Sequence, residues 1–381
     1  MLAGVVTVGV LLAASGWNVS MDAQTRARDE PTVDGRARLG ELDLRANLGV
    51  STSGPDGAAA LNYLSSVLLT EAISGPADVG NATQQGARLE LKTRLAPATR
   101  LTSRTSFDLG LTDFSPLSAQ ATRPVVGQLP PQRFVRTLGV DTMLDMTHDF
   151  SRRLHVTLVA AVQRSGGVGH EAVSVLPFQV RTQATASLAW AADRTNAVTI
   201  RWSGSHSRFS IDATSVLTGM EASWTSRASP RTTLDAGAGL VFVHSSRTEV
   251  ESEAVYGAGA AGLAWSIPVA PQRALRTAFH LRLVPGIDQF TALAVQTIGA
   301  DAAAEFTQGA LRFGLTGSGT RIISGVSDGA DQLHFEARSS WTAHSWSLEG
   351  GIGAARTNQL AFAGWAVQAL VGLRWTASGW F

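Results

Sequence analysis

Eight histidines and no cysteine set the reactive side chains of this chain, so disulfides and thiolate chemistry are excluded. His244 and Ser246 stand two residues apart, as a base and a nucleophile on one strand face would. No third group to orient the imidazole is identifiable from the sequence, and a polar rim accounts for the pair equally well. His170-Glu171 and His206 fall in loops without an accompanying acid pair. His155, His280 and His334 share a polar face but lie on separate strands, which is not metal-ligand spacing. Asp328-Gly329-Ala330-Asp331 lacks the further oxygen ligands of a calcium loop. Gly166-Gly167-Val168-Gly169 reads as a flexible loop, because no strand–turn–helix context supports phosphate binding. The expectation is no catalytic site, no metal and no cofactor.

The elements that would carry these residues are strands. Formal net charge is +1, which gives no basic field for nucleic acid. Hydrophobic residues make up 44% and charged residues 16%, yet no internal run is long enough for a spanning helix. Glycine is abundant, with 38 residues, as in a membrane barrel where only alternate strand residues meet lipid. Val5 to Ala14 is the length of a secretory leader core, and Ser20-Met21-Asp22-Ala23 fits a cleavage site, although no Lys or Arg precedes the apolar run. The predicted organisation is a signal peptide over 1–23, a flexible periplasmic segment over 24–35, and a barrel over 36–381.

From Glu41 onward the chain alternates with period two. Leu42, Leu44, Ala46, Leu48 and Val50 oppose Glu41, Asp43, Arg45 and Asn47. Leu89, Leu91, Thr93 and Leu95 oppose Arg88, Glu90, Lys92 and Arg94. The pattern recurs to the C-terminus and predicts about 16 strands, with 14–18 possible, each able to cross a bilayer when tilted. Connections alternate between tight ones, such as Ala96-Pro97-Ala98 and His344-Ser345, and longer ones, above all 51–86, 114–135 and 166–178. Trp190, Trp224, Trp265, Trp341, Trp346 and Trp375 fall beside the tight turns or the C-terminus and on the apolar face. This is the placement of an interfacial aromatic girdle.

The last strand alternates from Trp365 to Trp375 and ends at Phe381, the final residue. It resembles the C-terminal strand of porin-like bacterial outer-membrane β-barrels, in which a terminal Phe serves as an assembly signal. The resemblance implies a closed antiparallel transmembrane barrel with short periplasmic turns and long outer loops. It also implies outer-membrane lipid and the barrel-assembly machinery as partners, and most often passive diffusion of small solutes. Closure would pair the last strand with the first, near Glu41–Val50.

Candidate pore-lining residues are Glu41, Asp43, Arg45, Arg88, Glu90, Lys92, Arg94, Arg104, Asp108, Asp141, Arg153, Arg181 and Arg201. Their mixed signs fit a water-filled interior, either as a transverse field or as paired charges bracing the wall. The apolar stretch Leu61–Leu69 within 51–86 could fold inward as a constriction, cap the rim or form another strand. The functional expectation is a diffusion channel or transporter for small polar or charged solutes. The alternatives are a polysaccharide-export barrel, which a one-signed lumen would favour, a non-conducting structural or adhesive barrel, and last a rim hydrolase. Oligomeric state is not encoded in any visible feature.

Overall fold

The computed structural model describes all residues except 1–14, 33–34, 76–80, 115–133, 248–249, 289, 326–328, 359–362 and 381. The chain forms one closed antiparallel barrel of 18 strands. In order these are β1 (Ser15–Thr32), β2 (Gly35–Gly54), β3 (Gly57–Ser74), β4 (Asn81–Ala96), β5 (Thr99–Asp113), β6 (Phe134–Asp149), β7 (Leu154–Gly167), β8 (Gln179–Ala191) and β9 (Asn196–Phe209). They continue as β10 (Ala213–Ser229), β11 (Thr232–Arg247), β12 (Val250–Ala270), β13 (Arg273–Ile287), β14 (Ala294–Gln308), β15 (Leu311–Gly325), β16 (Asp331–Ala343), β17 (Trp346–Thr357) and β18 (Gly364–Trp380). Each pairs with its sequence neighbours, and β18 returns to β1 from Gly16↔Trp380 to Asp29↔Val367. Among the described strands no backbone edge is left for lipid. The shortest strand, β17, has 12 residues, above the roughly 9–11 needed to cross a bilayer.

The two faces sort as period two requires. Outward residues are large, apolar and exposed, among them Leu240, Val255, Phe279, Leu315 and Ile352, which is the arrangement lipid demands. The short connections Pro55-Asp56, Pro97-Ala98, Pro230-Arg231, Pro271-Gln272, Gly309-Ala310 and His344-Ser345 gather at the end that holds the start of β1. At the same end, the Ala192–Thr195 turn is tied by Asp193, whose Oδ1 accepts N–H groups from Thr195 and Asn196 at 2.7 and 2.8 Å. Hydrogen bonds from the Asn196 side chain and then from Thr195 hold this carboxyl well below the usual carboxylate range. Trp190, Trp224, Trp265, Trp341, Trp346 and Trp375 all lie near this periplasmic end and on the outer face. The opposite end carries the connections 114–133 and 168–178, although Ser210–Asp212 there is also tight.

Four expectations change. Among the described residues the first strand starts at Ser15: the expected flexible segment 24–35 and the cleavage site at Ser20–Ala23 lie largely within β1, so a cut after Ala23 would remove half of that strand. The leader's apolar core and the terminal Phe381 lie outside the described residues. The 51–86 region is no loop, because β2 runs to Gly54, turns through Pro55-Asp56 and returns as β3. The apolar stretch Leu61–Leu69 is therefore wall, neither a plug nor a rim cap. Finally, β18 closes on β1, with β2 one strand further round. Both added strands hide for physical reasons. The outer face of β1 holds the weak or small residues Ala23, Thr25 and Ala27 beside a dense inner row of charge. In β3, Leu64 and Leu68 face inward, which erases the alternation.

Candidate functional site in the lumen

The ladder registers bring the inner-face residues together. Glu41, Asp43 and Arg45 on β2, Arg88, Glu90 and Lys92 on β4, Arg104 and Asp108 on β5, Asp141 on β6, Arg181 on β8 and Arg201 on β9 share that face. Arg94 sits at the end of β4 and donates from Nη2 to the Pro97 carbonyl at 2.7 Å. Arg153 is not on the wall. It lies in the turn before β7, where alternation in the sequence runs on past the strand end.

The inner charges fall into separate clusters. At the closing seam, Asp43 accepts from Arg26 at 2.9 Å and Arg45 at 2.6 Å, and Arg374 on β18 reaches Asp22 on β1 at 2.9 Å. Arg28 on β1 is fully buried, with Nε 3.0 Å from Glu41 and Nη1 3.2 Å from Asp113 on β5. That second contact spans four strands. In a round barrel of 18 strands, about 4.8 Å apart and tilted by about 40°, β1 and β5 would stand roughly 23 Å apart. An Arg and an Asp side chain together bridge only about half of that, so the wall is pinched where Arg28 straps it.

On β4 and β5, Glu90 is surrounded by Lys92 at 2.7 Å, Arg104 at 3.2 Å and Arg88 at 3.7 Å, a local excess of cations. Across the barrel, Asp301 joins Arg282 at 2.7 Å and His280 at 2.9 Å. Each of these acids is held by a cation, so a bracing role is built into the wall.

Outward of the β4–β5 cluster lies a chamber of about 1040 Å³. Amides and hydroxyls dominate its polar lining: Asn47, Asn62, Gln84, Gln163, Gln179, Ser106, Ser165 and Ser207. Arg88, Asp108, Asp141 and Arg181 add sparse charge, and Leu64, Leu138, Leu176 and Leu217 add apolar surface. Side-chain amides both donate and accept, as hydroxyl groups do.

A roof closes over this chamber, made of segments the sequence did not single out as a constriction. The β7–β8 connection carries a short helix, α1 (His170–Val175). It turns inward on Gly166 and Gly169, both at positive φ. A Cβ on Gly166 would lie 2.5 Å from Phe178 Cα, so this glycine is needed for close packing. Leu176 is buried with Phe114 and Val135, and Phe290 from the β13–β14 connection packs on the same cluster. Ala292 of that connection is fully buried against Phe209 and Ala213, beside the β9–β10 turn. Segments six strands apart round the barrel therefore meet over the lumen. The β13–β14 connection is closed on itself: Ala292 N–H donates to the Asp288 carbonyl at 2.7 Å, and Phe290 N–H to Asp288 Oδ1 at 2.8 Å. Burial raises the Asp288 carboxyl above its ordinary value, only partly offset by these hydrogen bonds.

The candidate chemistry outside the chamber is sparse. His244 and Ser246 share the outer face of β11, and His244 Nδ1 meets Glu253 on β12 at 3.1 Å, the orienting group the sequence did not reveal. Among the described residues no hydrogen bond joins His244 to Ser246, and no group of three or more His, Asp or Glu converges as a metal site.

The sequence profile of the EpsX exopolysaccharide export family matches residues 6–379. The chain belongs to this family. No curated protein matches it. Among solved structures, OpdK, an outer-membrane protein of Pseudomonas aeruginosa, superposes with a TM-score of 0.51 at 8% identity, covering 97% of this chain and 100% of OpdK. The apoprotein of the FrpB iron transporter of Neisseria meningitidis gives 0.52 at 8% identity, covering 90% of this chain, which spans 61% of FrpB. At such identities the likeness is one of fold. This EpsX-family chain is an outer-membrane β-barrel of the porin-like kind.

Proposed function

We propose that this EpsX-family barrel is a conduit that passes carbohydrate chains outward across the outer membrane. The observation that carries the reading is the chamber lined by amides and hydroxyls beneath an inward-folded roof. Such a lining exchanges hydrogen bonds with a polyhydroxylated strand without holding it by charge. Family membership supports the same direction. Most lumen charges are already engaged with each other, so mixed signs along the wall are compatible with a neutral sugar chain.

A second reading, passive diffusion of small charged solutes, draws on the cation excess of Arg88, Lys92 and Arg104 around Glu90. An enzymatic role has little support, since His244 and Ser246 are not joined. The barrel-assembly machinery as the route of insertion remains part of this reading.

Single-channel recording in planar bilayers separates the two. Expected for the conduit are discrete current interruptions when neutral oligosaccharides are added on the periplasmic side, lengthening with chain length. Steady ion-selective current indifferent to oligosaccharides would replace the conduit by a small-solute channel. A folded barrel that never conducts, even with its roof removed, would refute both.

A further inference from the structure

A round barrel is convex everywhere outside, but this one carries an apolar groove of about 940 Å³ in its outer wall. The groove crosses β14 to β18 and reaches β1, β2 and β3, beside the seam that Arg28 draws inward. Its floor is made of small outward residues, including Ala304, Gly317, Ala337 and Ala354, between the ridges of Phe335 and Ile352. Its volume is at the upper end of the roughly 300–1000 Å³ found for small-ligand sites.

The outer-leaflet end of the groove is polar and cationic. Asp29 and Arg38 line it there. Asp29 bonds Arg36 at 2.7 Å and lies 3.7 Å from Arg38, while both arginine side chains stay half or more exposed. Exposed Arg356 joins them from β17, on the same outer face opposite Trp365. Among the described residues, the remaining outward charges nearby are Arg321, opposite Asp331, and Glu71, one rung lower beside Gly40. Among the described residues, three arginines above one bridged aspartate leave a net positive rim over an apolar slot.

We infer that this groove is a lipid site that holds a phosphorylated, multiply acylated glycolipid of the outer leaflet, with acyl chains along the Ala-Gly floor and a phosphate at Arg36 and Arg38. Arginine forks suit phosphate, and the apolar lining of the groove suits chain methylenes. Position favours the outer leaflet, because the arginines lie at the end away from the short periplasmic turns.

The test is native mass spectrometry of the full barrel, refolded in detergent and titrated with lipid A, with dephosphorylated lipid A, and with phosphatidylglycerol. One lipid A retained per barrel is expected. Ala354→Trp with Ala337→Phe, which fills the groove, should weaken binding of both lipid A forms at least tenfold. Arg36→Gln with Arg38→Gln, which leaves the apolar wall intact, should weaken the phosphorylated form about tenfold and the dephosphorylated form little. Equal retention by all variants, or equal retention of phosphatidylglycerol, would overturn the site in favour of ordinary annular lipid. A dimer or trimer that Ala354→Trp dissociates would overturn it in favour of a second copy of this chain.

Discussion

Removing Arg28 should be costly out of proportion to one side chain. Its guanidinium is fully buried between Glu41, also fully buried, and Asp113, 11% exposed, at 3.0 and 3.2 Å. Arg28→Ala strands two carboxylates in a site built for a cation, and breaking a buried pair from one side typically costs about 3–5 kcal/mol. Glu41→Gln leaves the contact with Asp113 and should cost less, about 1–3 kcal/mol for a weakened charged hydrogen bond. Replacing all three by apolar residues of similar volume removes the desolvation problem and should be near neutral or stabilising. The assay is guanidinium unfolding of the refolded barrel in detergent, followed by tryptophan fluorescence, with single-channel conductance measured alongside. Because Arg28 ties β1 to β5, Arg28→Ala should also raise conductance by letting the pinched wall relax. A loss below about 1 kcal/mol with unchanged conductance would show the cluster to be wet, like a surface ion pair, and would refute the strap.

The roof gives two further expectations. Asp288 is raised by burial, so the closed loop binds its proton more tightly than an open one; closure is favoured in acid and lost as pH rises through the folded-state value. Conductance should therefore fall as pH is lowered toward the ordinary carboxylate range, and Asp288→Asn should flatten that profile; an unchanged profile would remove Asp288 from the gate. Cysteines at Ala213 and Ala292, in a chain with none of its own, should lock the roof by disulfide, and reduction should restore current. Exchanging Arg88, Lys92 and Arg104 for Gln should shift ion selectivity toward cations, read as a change in reversal potential under a salt gradient. His244→Ala should leave phospholipid turnover at background, equal to the parent barrel.

The fold was legible because lipid imposes a rule that every strand must obey. For β2 and from β4 to β18, apolar residues on alternate positions and polar turns at one end gave each strand. It failed where the rule is relaxed from one side or the other. β1 satisfies lipid with Ala23, Thr25 and Ala27, residues too small to stand out beside the charged row from Asp22 to Glu30. β3 places Leu64 and Leu68 inward, so its run of apolar residues has no period. The inner charges on β2, β4 and β5 were visible one strand at a time. Which of them touch was not, because Arg28–Asp113 depends on how far the wall bends, a property no local spacing carries.

The roof was hidden for a related reason. Leu176, Phe290 and Ala292 come from connections more than a hundred residues apart, and each alone looks like ordinary loop sequence. One signal was present: Gly166, Gly167 and Gly169 crowd a connection at the end of a strand, and Gly166 is now seen to be forced by close approach. A conduit for a flexible chain needs such a lid, since an 18-stranded lumen left open would leak every small solute across the membrane. That requirement links the geometry to the proposed cargo. If roof-locked and roof-free barrels passed small ions equally well, the lid would have no sealing role, and the case for export over simple diffusion would lose its structural basis.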